Sequence, residues 1–135
     1  MIGLDTNILI RYFVQDDPAQ AKQATDLIEH RCTAEEPGLI NLIVLCEVVW
    51  VLSTAYRYSR AAIGAVIGDL LHAAEIVVEA DGAVAAALRL YQNRRIDFAD
   101  ALIGIRNRHL GCTVTMTFDR EAATIAEFAP AGSSR

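Results

Sequence analysis

The segment MIGLDTNILI (residues 1–10) decides the fold expected for this chain. Six of its ten residues are Met, Ile or Leu, which is typical of a strand buried on both faces of a parallel sheet. We therefore predict a strand over residues 1–5, with Thr6 and Asn7 beginning a loop beside it. The predicted strand ends at Asp5. An unpaired charge in a buried position destabilises the folded state, so the presence of a carboxylate here requires a functional or structural explanation.

The rest of the chain alternates between strand-like and helix-like segments. Further strands are predicted at residues 37–40, 75–80 and 112–117. Helices are predicted to begin after the capping residues Asp17, Ser59 and Asp81, and after Asn41, which caps a helix at residues 42–56. Two further helices are predicted at residues 98–110 and 120–128. Strands separated by helices form a parallel sheet covered on both faces. We therefore predict an α/β fold of three layers, α/β/α, with a central parallel sheet of four to five strands.

The composition is that of a globular domain, with 135 residues of which 53% are hydrophobic and 21% charged. We predict a single domain over residues 1–128 and a flexible tail over 129–135. The three cysteines match no metal-binding spacing and are predicted to be buried, reduced thiols of a cytoplasmic protein. Residues 39–52 are too few to span a membrane and are predicted to form a buried helix, whose Trp50 packs in the core or forms a protein interface.

Four of the 17 acidic residues lack an evident local role: Asp5, Glu47, Asp100 and Asp119. Asp5 and Asp119 each follow a predicted strand and are expected at the same edge of the sheet, with Glu47 and Asp100 on helices that lean over it. Four like charges share a site only with cations between them, and dense carboxylate oxygens suit Mg²⁺ or Mn²⁺. We predict a shared metal site, and the alternative is that the four acids have separate capping and salt-bridge roles.

Asp97 lies three residues before Asp100, so both side chains can share a helical face. Its position also suits the N-cap of the helix predicted at 98–110, and we favour that role. The sequence leaves open whether Asp97 is also a metal ligand.

The motifs LDTNILI, DFADALI and TFD occur in this order, with Glu47 inside an apolar segment between the first two. In this respect the sequence resembles the PIN-domain nucleases, and more closely the VapC-type toxins of bacterial toxin–antitoxin pairs. The resemblance covers residues 1–128. It implies a parallel sheet with flanking helices and a Mg²⁺- or Mn²⁺-dependent endoribonuclease that cleaves RNA. It also implies a cognate antitoxin protein as partner, and a homodimer.

The resemblance implies catalytic and metal-binding roles for Asp5, Glu47, Asp100 and Asp119. Asn7 and Thr117 match polar positions that support the site, and Asp97 is a further supporting residue. The metal would lower the pKa of a bound water and offset charge on the phosphate. Glu47 or Asp119 would take the proton from that water, and the products would carry 5′-phosphate and 3′-hydroxyl ends.

The net charge of −5 argues against a protein that wraps RNA with a basic surface. If bound cations offset the charges of these four acids, the net charge changes from −5 to −1. Phosphate contacts are then predicted from the arginines near the pocket, Arg94, Arg95, Arg106 and Arg108. The alternative is that these four are ordinary solvated helix charges.

Other functions fit the sequence less well. A phosphatase of the haloacid dehalogenase type and a phosphorylated receiver domain also begin with a strand that ends in Asp. The first requires a second Asp where this chain has Asn7, and both use a late lysine, whereas Lys22 is the single lysine. A catalytically silent PIN-like binding module, and an RNA-processing nuclease without an antitoxin, stay open as alternatives.

Overall fold

The strand predicted at the N-terminus forms, but it is short. In the computed structural model, which describes residues 1–132, β1 spans Ile2–Gly3. It pairs in parallel with β2 (Gly38–Ile40), which pairs in parallel with β3 (Ile76–Val78). The sheet order is therefore β1-β2-β3. These strands belong to the first of two compact units, Met1–Asp81, and the second unit is Gly82–Arg135.

The helices of the first unit begin where the capping residues predict. They are α1 (Thr6–Val14), α2 (Pro18–Asp26) with a π-helical turn after it (Leu27–Arg31), α3 (Leu42–Thr54) and α4 (Arg60–His72). The side chain of Asp17 accepts a hydrogen bond from the backbone N–H of Gln20, at 3.1 Å. Asn41 and Ser59 accept equivalent bonds, at 2.8 and 3.1 Å, from the N–H groups three residues on. These three predicted caps are confirmed.

The loop predicted at Thr6 and Asn7 is wrong, because α1 begins at Thr6. Asp5 is the N-cap of this helix, and its Oδ1 accepts a hydrogen bond of 2.8 Å from the backbone N–H of Thr6. Aspartate is among the best N-cap residues. The same residue therefore ends the extended segment and starts the helix, which leaves no room for a loop.

The core of the first unit consists of aliphatic side chains that are at most 2% exposed, including Leu9, Ile10, Ile40, Leu45, Leu52, Ile63 and Ile67. α1 packs against α2 and α3, and α4 packs against β3 and α3. One face of α3 differs from the prediction of a buried helix. Ile43 is 75% exposed and Trp50 is 67% exposed, so core packing of Trp50 is wrong and α3 presents apolar groups to solvent.

The second unit contains two longer helices and a pair of strands. α5 (Asp81–Asn93) begins one residue earlier than predicted, because Asp81 is its first residue and not the cap before it. α6 (Phe98–His109) is followed by Gly111 with a φ of +106°. Gly111 thus provides the left-handed backbone after the helix, as predicted. β4 (Thr115–Thr117) pairs in parallel with β5 (Phe128–Pro130). Every recorded strand pair in residues 1–132 is parallel, which confirms the predicted α/β class.

The helix predicted at residues 120–128 is wrong. Only a 3₁₀ turn forms in that stretch, at Ala122–Thr124, and the chain then enters β5. Two residues of the predicted tail, Ala129 and Pro130, belong to β5, whereas residues 133–135 lie outside the described part.

The cysteines differ in their surroundings, although all three are free thiols. Cys32 is buried and Cys46 is half-buried, and burial raises the pKa of both thiols. Cys112 is exposed, so the prediction of buried thiols is wrong for this residue.

Between residues 1 and 132, no helix is both long enough and apolar enough to cross a membrane.

Gly104 allows α6 to pack closely against β5, which gives a test of the second unit. A Cβ atom at this position would overlap Cε2 of Phe128 and lie 3.0 Å from Cβ of Glu127. We expect Gly104→Ala to lower the free energy of unfolding by about 1–3 kcal/mol, as overpacked cores do. Chemical denaturation measures this change.

Gly68 in α4 is the matched control, because a Cβ atom there meets no atom within 4 Å. Gly68→Ala should raise the free energy of unfolding by roughly 0.5–1 kcal/mol through helix propensity. Equal effects of the two substitutions would contradict the packing argument.

Candidate functional site

Asp5 lies at the junction between β1 and α1. The buried Leu4 precedes it, and Leu9 and Ile10 anchor the following helix in the core. The Asp5 side chain is itself exposed, while its Oδ1 accepts the Thr6 N–H. The carboxylate is therefore held at a helix N-terminus, where the positive end of the helix dipole favours a negative charge.

Thr6 links this junction to Glu47 on α3. Its hydroxyl donates a hydrogen bond of 2.7 Å to Oε1 of Glu47, and the Thr6 residue is only 9% exposed. Glu47 itself is exposed. One buried threonine thus orients two carboxylates, Asp5 through its backbone N–H and Glu47 through its hydroxyl.

The role of Thr6 is absent from the sequence prediction. Glu47 lies 41 residues further along the chain, so no local pattern connects the two. The available signal was weak, because Thr6 lies between two other polar residues, Asp5 and Asn7. Asn7, predicted to support the site, is exposed on the first turn of α1.

Three acidic residues of the second unit interact around the start of α6. Asp97 occupies the predicted N-cap position with an extended backbone, but its side chain makes no capping hydrogen bond. The predicted N-cap position of Asp97 is therefore confirmed, although its carboxylate forms no capping hydrogen bond. Its carboxylate is instead close enough to Asp100 to affect the pKa of that group.

Asp119 is fixed by the turn that follows β4. Its backbone N–H donates to Oγ1 of Thr117 at 3.0 Å. Its Oδ1 accepts hydrogen bonds from the N–H groups of Glu121 and Ala122, at 2.8 and 3.2 Å. Thr117, predicted as a supporting residue, thus contacts the backbone of Asp119 and fixes the local turn.

Asp100 is the half-buried member of this group. Burial raises the pKa of its carboxyl, and the negative charges of Asp97 and Asp119, together with a hydrogen bond to Asp119, raise it further. An ionised Asp100 is thus destabilised by its surroundings in the apo protein. A bound cation would relieve the repulsion among these three carboxylates.

The four predicted ligands differ in burial from the sequence prediction. Asp5, Glu47 and Asp119 are exposed, and only Asp100 is partly buried. The premise of a buried charge is wrong for Asp5, which is exposed after the end of β1. Glu47 is exposed within α3, and Asp119 is exposed in the turn after β4. In each unit, however, the structure brings predicted acids near one another, Asp5 with Glu47 through Thr6, and Asp100 with Asp119.

The donor chemistry of these residues fits a hard divalent cation. All the candidate ligands are carboxylates, the oxygen donors that Mg²⁺ and Mn²⁺ prefer. Within residues 1–132, no group of three or more His, Cys, Asp or Glu side chains is arranged as a ready metal site.

The four arginines predicted to contact phosphate have different environments. The Arg94 guanidinium donates to the carbonyl and hydroxyl oxygens of Thr124, at 3.3 and 3.0 Å. Arg108 donates to the carbonyl oxygens of Thr113 and Ala126, at 3.3 and 2.9 Å. These two side chains have structural contacts in the second unit.

Arg95 is exposed and Arg106 is half-buried. Neither lines a groove of about 400 Å³ in the second unit, to which Arg94 and Arg108 both contribute. The sequence prediction also missed Arg89, which lines that groove.

Comparison with known proteins identifies the family. The PIN domain family matches residues 2–128, nearly the whole chain. The chain is also similar to the VapC ribonuclease of Aquifex aeolicus (strain VF5), with 24% identity over 117 residues, which cover 87% of this chain and 86% of that protein. The length of the family match shows that the chain belongs to the PIN-domain family.

Proposed function

We propose that this protein is a metal-dependent endoribonuclease and the toxin of a toxin–antitoxin pair. The observation that carries the proposal is Asp100, a half-buried carboxylate whose pKa is raised by burial and by Asp97 and Asp119. Such crowding of like charges destabilises the apo protein and favours a divalent cation. Membership of the PIN-domain family and similarity to a VapC ribonuclease support RNA as substrate.

We propose that Asp5, Glu47, Asp100 and Asp119 together hold Mg²⁺ or Mn²⁺. The order of these acids along the chain and their all-carboxylate chemistry support this set. Asp97 adds negative charge beside Asp100, and its carboxylate is not engaged in capping. It therefore acts as a supporting residue of the proposed site.

When bound, the divalent ion supplies a Lewis acid that acidifies a water and offsets the charge of the phosphodiester. The chain must then remove a proton from the attacking water and keep its carboxylates in place. Glu47 or Asp119 accepts that proton. Thr6 holds one oxygen of Glu47, and two backbone N–H groups hold one oxygen of Asp119. The hydrogen bond from Thr6 engages Oε1 of Glu47 and leaves Oε2 for the proton.

Cleavage by an activated water does not require the ribose 2′-hydroxyl as attacker. The proposed products therefore carry 5′-phosphate and 3′-hydroxyl ends. The test is to incubate purified protein with RNA and either Mg²⁺ or Mn²⁺, with and without EDTA, and to sequence the ends. Cleavage that persists in EDTA, or 2′,3′-cyclic phosphate products, would exclude this mechanism.

The proposed partners are a cognate antitoxin and a second copy of the chain, in the cytoplasm. Ile43 and Trp50 expose apolar surface on α3, which supports a protein-binding face there. Light scattering of the chain alone, and after co-expression with the product of the adjacent gene, tests both partners. A monomer that forms no complex with that product would contradict this part of the proposal.

Thr6 provides a test of how Glu47 is positioned. We expect Thr6→Val to lower kcat by roughly 10- to 100-fold, because the hydroxyl that fixes Glu47 is lost while the side-chain volume is kept. Thr6→Ser retains the hydroxyl and should retain most of the activity. Steady-state kinetics should show the loss in kcat with little change in KM.

Thermal unfolding of both variants serves as the control. Wild-type kcat of Thr6→Val would contradict the positioning role, because that variant lacks the hydroxyl that bonds Glu47.

A further inference from the structure

A groove of about 400 Å³ lies between α5 and α6, within the second unit. Its volume is in the range of small-ligand sites. Polar groups of its lining come from Arg89, Asn93, Arg94, Arg108 and His109, and Glu127 is the one carboxylate among the lining residues. Three guanidinium groups against one carboxylate make the lining basic, although the chain carries a net charge of −5.

Two of the three arginines are already oriented. Arg94 is held by oxygens of Thr124, and Arg108 by carbonyl oxygens of Thr113 and Ala126. The carboxylate of Glu127 is 4.0 Å from Arg108, at the limit of an ion pair. Fixed guanidinium groups lose less side-chain entropy when they bind an anion, because part of the ordering occurs on folding.

Arg89 differs from these two because it is exposed on α5. The structure of residues 1–132 shows no hydrogen bond or ion pair for its guanidinium group. The guanidinium group of Arg89 therefore adds positive charge to the groove. Substitution of Arg89 would remove this charge without breaking a side-chain contact within the folded chain.

The other lining residues are apolar: Ala86, Leu90 and Ile105. The groove therefore combines guanidinium groups with an aliphatic surface. A nucleotide has matching parts, since its phosphate takes paired hydrogen bonds from arginine and its base has an apolar face. An acidic peptide offers the charge without the flat base.

The groove is separated from the acidic residues of α6. The groove-lining residues of this helix, Ile105, Arg108 and His109, follow Asp100 by five, eight and nine residues, which correspond to rises of about 7.5, 12 and 13.5 Å. A ligand in the groove thus binds apart from Asp100. We infer that the groove binds phosphate groups and a base of single-stranded RNA, apart from the acidic residues Asp97, Asp100 and Asp119. This inference rests on the proposed RNA substrate.

The test measures binding of a short fluorescein-labelled single-stranded RNA by anisotropy, in EDTA and over a range of salt concentrations. We expect Arg89→Glu to weaken binding about tenfold and to reduce the salt dependence by the equivalent of about one phosphate contact. Arg31→Glu is the matched control, since it makes the same charge change at an exposed arginine of the first unit, outside the groove lining and outside the arginines predicted to contact phosphate. It should change the Kd by less than about twofold, within the range of nonspecific charge effects.

Arg89→Gln, which removes the charge without reversing it, should give an intermediate Kd, and circular dichroism confirms that each variant is folded. Equal weakening by Arg89→Glu and Arg31→Glu would overturn the inference, because it would show general attraction to the protein surface. Unchanged binding by Arg89→Glu, or no RNA binding by the wild type, would also overturn it. So would a poly-glutamate peptide that binds in an Arg89-dependent manner and displaces the RNA.

The binding assay does not depend on catalysis, so the two proposals fail separately. RNA binding that depends on Arg89, without Mg²⁺- or Mn²⁺-dependent cleavage, would refute the proposed activity and support the groove. Metal-dependent cleavage with Arg89-independent binding would support the activity and refute the groove.

Discussion

Asp100→Asn is expected to abolish RNA cleavage and, at the same time, to raise the thermal stability of the metal-free protein. The loss in kcat should be on the order of 10²- to 10³-fold, as for the removal of other groups that stabilise charge during a reaction. The gain in stability follows from the surroundings of Asp100. Burial and the charges of Asp97 and Asp119 raise the pKa of its carboxyl, so the ionised form is less favourable in the folded state than in the unfolded chain.

The sign of this stability effect follows from proton linkage. At neutral pH an Asp100 whose folded pKa is raised opposes folding, and the penalty is absent below the unfolded pKa and develops as the pH rises through the folded value. Asparagine has no charge at any of these pH values. We therefore expect the Tm of metal-free Asp100→Asn at pH 7 to be higher than that of the metal-free wild type.

In saturating metal, the wild type should be more stable than Asp100→Asn, the reverse of the order expected without metal. Saturating Mg²⁺ or Mn²⁺ raises the Tm of the wild type, because a ligand that binds only the folded state stabilises it. It should have little effect on Asp100→Asn. Differential scanning fluorimetry with and without the metal measures both effects, and isothermal titration calorimetry measures the affinity directly.

Asp69→Asn is the control for this prediction, because Asp69 is an exposed aspartate on α4. It should cleave RNA and respond to metal like the wild type. A fall in Tm for Asp100→Asn would mean that the carboxylate stabilises the apo fold through a structural contact. Full activity of Asp100→Asn would remove it from the proposed metal site.

The features that were predictable from the sequence are those determined by local interactions. Asp17, Asn41 and Ser59 cap helices because each side chain reaches an N–H three residues away. The motifs LDTNILI, DFADALI and TFD led to the PIN-domain resemblance, which the family match confirms.

Errors arose where distant residues decide the structure. Residues 120–128 are rich in alanine and glutamate, which favour helix. Pairing of Thr115 with Phe128 overrides that preference, and the chain becomes β5. The bond from Thr6 to Glu47 and the groove around Arg89 likewise depend on contacts between elements. No spacing within one helix or strand predicts such contacts.

Asp5 has two roles that two substitutions should separate. As N-cap of α1 it accepts the Thr6 N–H, and as a carboxylate it is a proposed metal ligand. Asparagine caps helices about as well as aspartate but lacks the charge. We expect Asp5→Asn to lose cleavage by on the order of 10²- to 10³-fold while its free energy of unfolding stays close to that of the wild type.

Asp5→Ala should lose both properties, with cleavage abolished and the free energy of unfolding lower by about 1 kcal/mol because the cap is gone. The sequence alone predicted that Asp5 matters much less for folding than for metal binding. Because Asp5 also caps α1, this prediction should hold for Asp5→Asn, which keeps the cap, and fail for Asp5→Ala, which removes it. Urea denaturation and RNA cleavage measured on both variants test the separation. Wild-type cleavage by Asp5→Asn would leave Asp5 as a helix cap only. Equal destabilisation by both replacements would show instead that the negative charge itself, at the positive end of α1, is what stabilises the junction.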